Sequence, residues 1–315
     1  MGPRIVTIQT RNEGQRIDNF LMTYLKGVPK SRIYRLLRTG QIRVNKGRVK
    51  AGFRVHEGDM IRIPPIRQSS HTDSGLAKPP QSLIDELRSR QLYVDEDMII
   101  LNKPAGIAVH GGSGIRFGVI EAMRACYPHE TELDLVHRLD RDTSGCLLIA
   151  RKRSVLKYLH TMLHDGAIEK HYLALLAGNW NPGEHIVDTP LTKTRRVSGE
   201  RMVRVDDEGR SSRSRFTVVQ NLAGCCLARI NLDTGRMHQI RVHAASQGHA
   251  VAGDRKYGDR DFNRRMKAYG LGRLFLHATG LTFRHPSSAQ LLNTEAPLDA
   301  DLARVLDRVR SEGQR

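Results

Sequence analysis

The nine residues His137-Arg138-Leu139-Asp140-Arg141-Asp142-Thr143-Ser144-Gly145 hold two carboxylates, two guanidiniums and an imidazole. Apolar runs at 133–136 and 146–150 flank them and read as strands, with Ser144-Gly145 as turn chemistry before the second. Ionisable groups beside buried strands are costly unless they pair with one another or do chemistry. Three uses fit these residue types. The acids can neutralise neighbouring arginines in a solvated loop. Asp140 and Asp142 can act together on a metal ion, as in a nuclease. One of them can serve alone as a nucleophile or base. Residues two apart on an extended segment point to opposite faces, which weakens the metal reading. The four cysteines, Cys126, Cys146, Cys225 and Cys226, form no CxxC spacing and no zinc-type cluster with histidine.

Two other blocks carry a similar density of polar groups: Asn102-Lys103-Pro104-Ala105-Gly106 and Gly235-Arg236-Met237-His238-Gln239-Ile240-Arg241. Lys170-His171-Tyr172 introduces an apolar run that reads as a buried strand. The elements around these blocks alternate locally. Two strands flank a turn at Asp95-Glu96-Asp97, with Lys103-Pro104 ending the second. Helices are predicted at 117–126, at 154–164 and from about Arg236, a hairpin across Ala223-Gly224 within 215–232, and a late strand in LFLHATGLTFRHP. The polar, basic, Gly/Ser-rich segment 190–213 is predicted as a long loop, either a mobile insertion or an RNA contact. Strands follow one another more often than strict βαβ alternation allows. The expected class is α+β, on a mixed, largely antiparallel sheet with flanking helices.

The N-terminal part has a different texture. Residues 1–13 read as a tail or an extra strand, 14–67 as a compact basic module, 68–82 as a flexible linker, and 83–315 as the main domain. In the module Ile17, Phe20, Leu21, Tyr24 and Leu25 share one helical face, broken by Gly27 and Pro29. Ser31 can cap a second helix with Ile33, Leu36 and Leu37 as its apolar face, closing at Gly40. Short strands follow at 42–44 and 60–63, with a turn at Asn45-Lys46-Gly47. Thirteen Lys or Arg against three acids give these 54 residues a net +10, more than half of the chain's +18. Such charge fits a polyanionic partner, with Arg32, Arg35, Arg38, Arg43 and Lys46 as candidate phosphate contacts. No apolar run approaches the roughly 18–20 residues of a spanning helix, so a cytoplasmic protein with no membrane partner is expected.

The blocks at 102–106, 137–145, 170–172 and 235–241 resemble, in order, the motifs of RluA-type pseudouridine synthases, across residues about 90–285. The stretches RIDNFL, SRIYRLLRTGQIRVN and GDMIRIPP are similar to the S4 RNA-binding fold. The resemblance implies an isomerase that turns uridine into pseudouridine in 23S ribosomal RNA, free or in the assembling large subunit. It implies no cofactor and no metal, and a monomer is expected. It makes Asp140 the catalytic residue, Arg241 its cation, Tyr172 the ring stacked on the extruded base, and Arg138 the occupant of the vacated space, with Arg141 beside it in base flipping. Lys103, Pro104, His137 and Ile240 are expected to shape the pocket.

The reaction breaks the N1–C1′ bond, turns the base and rejoins it through C5, so the base must leave its stack. An ionised carboxylate could attack C6, attack C1′ or remove a ribose proton, and each route needs a site that excludes bulk water. Burial would raise that carboxylate's pKa unless a cation lies close, the place offered to Arg241. A non-catalytic RNA-binding assembly factor, and a synthase acting on transfer RNA or another ribosomal site, are the competing readings.

Overall fold

The computed structural model describes residues 2–25, 28, 30–66, 78–112, 116–195 and 200–312. Contacts divide the chain into two units, Met1–Ala77 and Lys78–Arg315.

The first unit runs β1 (Arg4–Thr7), α1 (Ile17–Tyr24), α2 (Lys30–Arg38), β2 (Arg43–Val44), β3 (Gly47–Arg48) and β4 (Met60–Ile63). The strands form one antiparallel sheet in the order β1-β4-β2-β3. Ile17, Phe20 and Leu21 of α1 meet Ile33, Leu36 and Leu37 of α2 over Val44, Ile61 and Ile63, so the expected helical faces are the buried ones. Tyr24 is the exception: it is 44% exposed and stacks on Phe20. Of the two readings offered for residues 1–13 the extra strand is the one found: Arg4–Thr7 pair with Met60–Ile63 and complete the sheet. Ser31 lies inside α2 rather than capping it, and Gly27 and Pro29 fall outside the described residues.

The second unit begins with α3 (Gln81–Ser89), so the segment read as linker ends before residue 81; residues 68–77 of it lie outside the described ones. Then come β5 (Gln91–Val94), β6 (Met98–Lys103), α4 (Val119–Cys126), β7 (Asp134–Leu135), β8 (Ser144–Ala150) and α5 (Arg153–His164). The chain continues with β9 (Glu169–Ala177), β10 (Glu184–Asp188), β11 (Leu191–Arg195), β12 (Arg201–Val205), β13 (Arg213–Leu222) and β14 (Cys225–Leu232). It ends with α6 (Gln239–Ser246), α7 (Arg260–Ala268), β15 (Leu276–Arg284), β16 (Leu291–Glu295) and α8 (Ala300–Glu312).

Ten of these strands form one sheet along β10-β13-β14-β9-β15-β8-β6-β5, with β16 on β15 and β7 on β8. Only β15 and β8 run parallel; the other pairings are antiparallel, giving the mixed sheet expected. The strands β6 and β8 are buried along their whole length, as an apolar run covered on both faces must be. Ser144 and Gly145 belong to β8 and make no turn. Gly145 is nevertheless required there. Its φ is +107°, and a Cβ would lie 2.1 Å from the Ala278 carbonyl oxygen on β15.

The segment 190–213 departs most from expectation. It folds into a two-stranded ribbon, β11 against β12, paired from Leu191↔Val205 to Arg195↔Arg201, with residues 196–199 outside the described ones. Leu191 and Val203 bury against Val242 of α6, which anchors the ribbon. Charged residues between these apolar anchors hide their alternation in the sequence.

Candidate active site

Three segments converge beside the central sheet: the loop between β7 and β8, the start of β9, and the start of α6. The Asp140 carboxylate is 17% exposed and accepts a hydrogen bond from Arg241 Nη1 on Oδ2 at 3.2 Å. The other edge of the same guanidinium is clamped. Arg241 Nε and Nη2 donate to Asp254 Oδ2 and Oδ1, both at 2.7 Å, in the bidentate geometry that suits Arg and carboxylate. Asp254 is 1% exposed and also accepts the backbone N–H groups of Lys256 and Tyr257. Burial by itself would raise its pKa; the Arg241 pairing and the two N–H groups outweigh that and hold it below the usual carboxylate range. Burial likewise works against the charge on Arg241, and Asp254 and then Asp140 overcome it, so the guanidinium stays charged. Gly253 brings Asp254 into place: its φ is +75°, and a Cβ would lie 2.0 Å from the Arg273 carbonyl oxygen.

His238 precedes α6 in the left-handed conformation, φ 56° and ψ 16°, which costs a non-glycine residue roughly 1–2 kcal/mol. That conformation turns its ring inward. Nδ1 lies 2.7 Å from the Tyr257 hydroxyl, and Nε2 lies 3.8 Å from Asp140 Oδ2. The ring of Tyr257 also lies under Arg241, with Cζ 5.1 Å from its centroid.

Tyr172 and Ile240 line the same small cavity as Asp140, together with Arg138, Thr143, Leu232 and Leu276; its volume is about 60 Å³. Tyr172 pairs with Ile230 of β14, and burial pushes its hydroxyl pKa up, with Asp140 adding to the effect. A cleft of about 370 Å³ adjoins it, bounded by His137, Arg138, Asp140, Lys170, Tyr172 and Arg236. Along the ribbon runs a further groove of about 650 Å³, where Arg138, Lys193, Arg201, Arg210 and Arg236 gather.

The sequence candidates therefore separate. Asp140, Arg241, Tyr172, Arg138 and Ile240 meet in one cavity. Arg141 does not line it. Its Nε donates to the Gly106 carbonyl while the Gly106 N–H donates back to its own, so Arg141 braces the loop. Lys103 is fully buried and donates to the carbonyls of Pro104, Ile107 and Arg141 at 2.7, 2.9 and 3.1 Å. Burial pulls its ammonium down to about 7 against the attraction of Asp142 and Asp140, yet three carbonyls match the three donors of the charged form. It ties the 102–106 block to the Asp140 loop. His137 Nε2 accepts the Leu148 N–H at 3.1 Å, and burial followed by Lys170 lowers its pKa to about 4, so it is a neutral acceptor that fixes the loop's start. Asp142 is exposed and does not line the cavity, and the described residues contain no group of three or more potential metal ligands.

Asp254 and Tyr257 are site residues that sequence reasoning missed. The signal was present in Gly253-Asp254-Arg255-Lys256-Tyr257-Gly258, an acid and an aromatic held between glycines after an apolar run.

Comparison with known proteins identifies the family. A model of the RNA pseudouridylate synthase family matches residues 97–246, and one of the S4 domain matches 15–61. The ribosomal large subunit pseudouridine synthase C of Escherichia coli (strain K12) is 49% identical over 310 residues, covering 98% of this chain and 97% of that protein. The protein of the same name in Haemophilus influenzae is 47% identical over 307 residues, covering 98% and 95%. Among solved structures, Human RNA Pseudouridylate Synthase Domain Containing 4 shares the fold, with a TM-score of 0.61 at 23% identity over 73% of this chain and 96% of that one. The chain belongs to the RNA pseudouridylate synthase family and carries an S4 domain at its N-terminus.

Proposed function

We propose that this enzyme isomerises uridines of 23S ribosomal RNA, free or in the assembling large subunit, with Asp140 as the catalytic carboxylate. The observation that carries the reading is the Asp140–Arg241–Asp254 chain in a cavity that also holds Tyr172. The near full-length likeness to relatives named for the ribosomal large subunit supports the substrate. Arg241 and His238 both approach Oδ2, which leaves Oδ1 for C6, for C1′ or for a ribose proton. Arg241 holds the carboxylate in place through its bond to Oδ2, in a cavity that shields it from bulk water. Tyr172 stacks on the extruded uracil and Arg138 stands at the cleft to fill the gap in the RNA. The enzyme acts as a cytoplasmic monomer, with the S4 module holding RNA phosphates.

Mapping pseudouridine in 23S RNA from cells with and without this chain tests the substrate. Single-turnover assays of Asp140→Asn test the residue: turnover should fall by at least about 10³-fold, because an amide neither attacks carbon nor accepts the proton. RNA affinity should be kept, and Asp142→Asn should stay far more active. Turnover of Asp140→Asn within tenfold of wild type would remove the assignment.

A further inference from the structure

Tyr257 touches both groups that reach Asp140. Its ring lies under Arg241, and its hydroxyl lies 2.7 Å from His238 Nδ1. The same oxygen accepts the backbone N–H of Val203 in β12 at 2.9 Å. This second bond takes one of the oxygen's lone pairs. Among the described residues the only acceptor placed against that hydroxyl is His238 Nδ1. With the O–H donating to Nδ1, a neutral imidazole carries its own proton on Nε2. Nε2 is the nitrogen that faces Asp140 Oδ2, at 3.8 Å. The ring is 11% exposed in its side chain, and its left-handed backbone holds it there. At that distance no hydrogen bond is formed yet; donors at catalytic carboxylates commonly tighten when substrate is bound.

We propose that His238 is a positioning residue for the reaction: as the Nε2–H tautomer, set by Tyr257 and through it by the β12 backbone, it becomes the second donor on Asp140 Oδ2. Arg241 and His238 then fix the carboxylate from two directions, so that Oδ1 meets the nucleotide in one orientation. Tyr257 acts through His238 and Arg241 and touches no substrate. The ribbon, which carries Lys193 and Arg201 along the basic groove, supplies the N–H that selects the tautomer. The inference rests on Asp140 being the catalytic carboxylate.

The test pairs spectroscopy with kinetics on the full chain. In ¹⁵N spectra of the wild-type protein, His238, assigned by its absence from His238→Gln, should show a proton on Nε2 and a bare Nδ1. In Tyr257→Phe that pattern should be lost, with kcat down about tenfold, near the worth of one hydrogen bond, and KM unchanged. His238→Gln keeps an N–H donor at the Nε2 position and should recover most of the turnover that His238→Ala loses. A wild-type proton on Nδ1, or a glutamine variant no better than alanine, would overturn the proposal. Undiminished turnover of Asp140→Asn would instead remove the catalytic reading of Asp140, and the tautomer measurement would stand regardless.

Discussion

Arg241 and Arg35 carry the same side chain into opposite surroundings. Arg241 is 7% exposed and places its donors on two carboxylates inside the larger unit. Arg35 lies with Arg32 and Arg38 on the outer face of α2, exposed, and among the described residues none of the three meets a carboxylate. A buried guanidinium must be compensated by the protein itself, and the compensation fixes geometry as well as charge. An exposed one is compensated by counterions until an RNA phosphate replaces them. The chain thus uses one kind of residue for orientation in one region and for attraction in the other. The two uses should respond differently to substitution, salt and pH.

Breaking the buried arrangement should cost most. Arg241→Met leaves Asp254 buried without its counter-charge, and removing one member of such a pair destabilises by about 3–5 kcal/mol. Turnover should fall further than stability explains, by about 10²–10³-fold at temperatures where the variant is folded, as when a preorganised charge interaction is deleted. Thermal unfolding and single-turnover rates measure the two effects. In the Arg241→Met, Asp140→Asn double variant the rate losses should not add, because the arginine acts through the carboxylate.

Asp254→Asn sharpens the same point at smaller cost. The amide keeps the shape and one acceptor but gives up the charge, so a loss of about 1.5–3 kcal/mol is expected, the value of a hydrogen bond to a charged group. Its signature lies in pH. The folded-state pKa of Asp254 is lowered, so its contribution is present above the usual carboxylate range and disappears as pH falls through the lowered value. Wild-type stability should decline in that acid window and the variant's should decline less, read from denaturant midpoints at a series of pH values. Equal acid sensitivity would show that Asp254 is not held ionised by Arg241.

These residues also show what could and could not be read in advance. The helical faces of α1 and α2 follow from local spacing, and β6 and β8 from apolar runs long enough to need cover on both sides. Asp140 and Arg241 lie 101 positions apart, and only the likeness of their two blocks to a known family suggested that they meet. Asp254 had no such help, because a lone acid between glycines is ordinary loop chemistry until a fold puts an arginine against it. Arg141 shows the converse: its block suggested a part in base flipping, and the fold adds a bracing bond to Gly106 that no spacing announced. The ribbon was concealed by the basic residues between Leu191, Val203 and Val205.

A third substitution addresses the apolar side of the site. Tyr172→Ala should remove about 1–3 kcal/mol of base stacking, while Tyr172→Phe, which keeps the ring face, should lose far less. Since Tyr172 is also 7% exposed and part of the main core, unfolding must be followed alongside turnover. Wild-type turnover in folded Tyr172→Ala would return the residue to a purely structural place.

The smallest effect on the chemistry should come from the exposed arginines, and here salt is the measurement that separates the two regions. Each of Arg32, Arg35 and Arg38 that sits on a phosphate releases counterions, so replacing all three with glutamine should flatten the slope of log K against log salt by roughly two, at about 0.7–0.9 for each phosphate no longer neutralised. Stability should barely move, because substitutions at solvated helix positions away from caps and pairs usually stay within about 0.5 kcal/mol. The maximal single-turnover rate on a short RNA should also hold, since none of the three belongs to the Asp140 cavity. The opposite pattern is expected of Arg241→Met, which should change the rate and leave the salt slope alone. If the triple variant instead kept the wild-type slope, the module's excess charge would be a solvated surface, and the division between orienting and attracting arginines would fail on its attracting side.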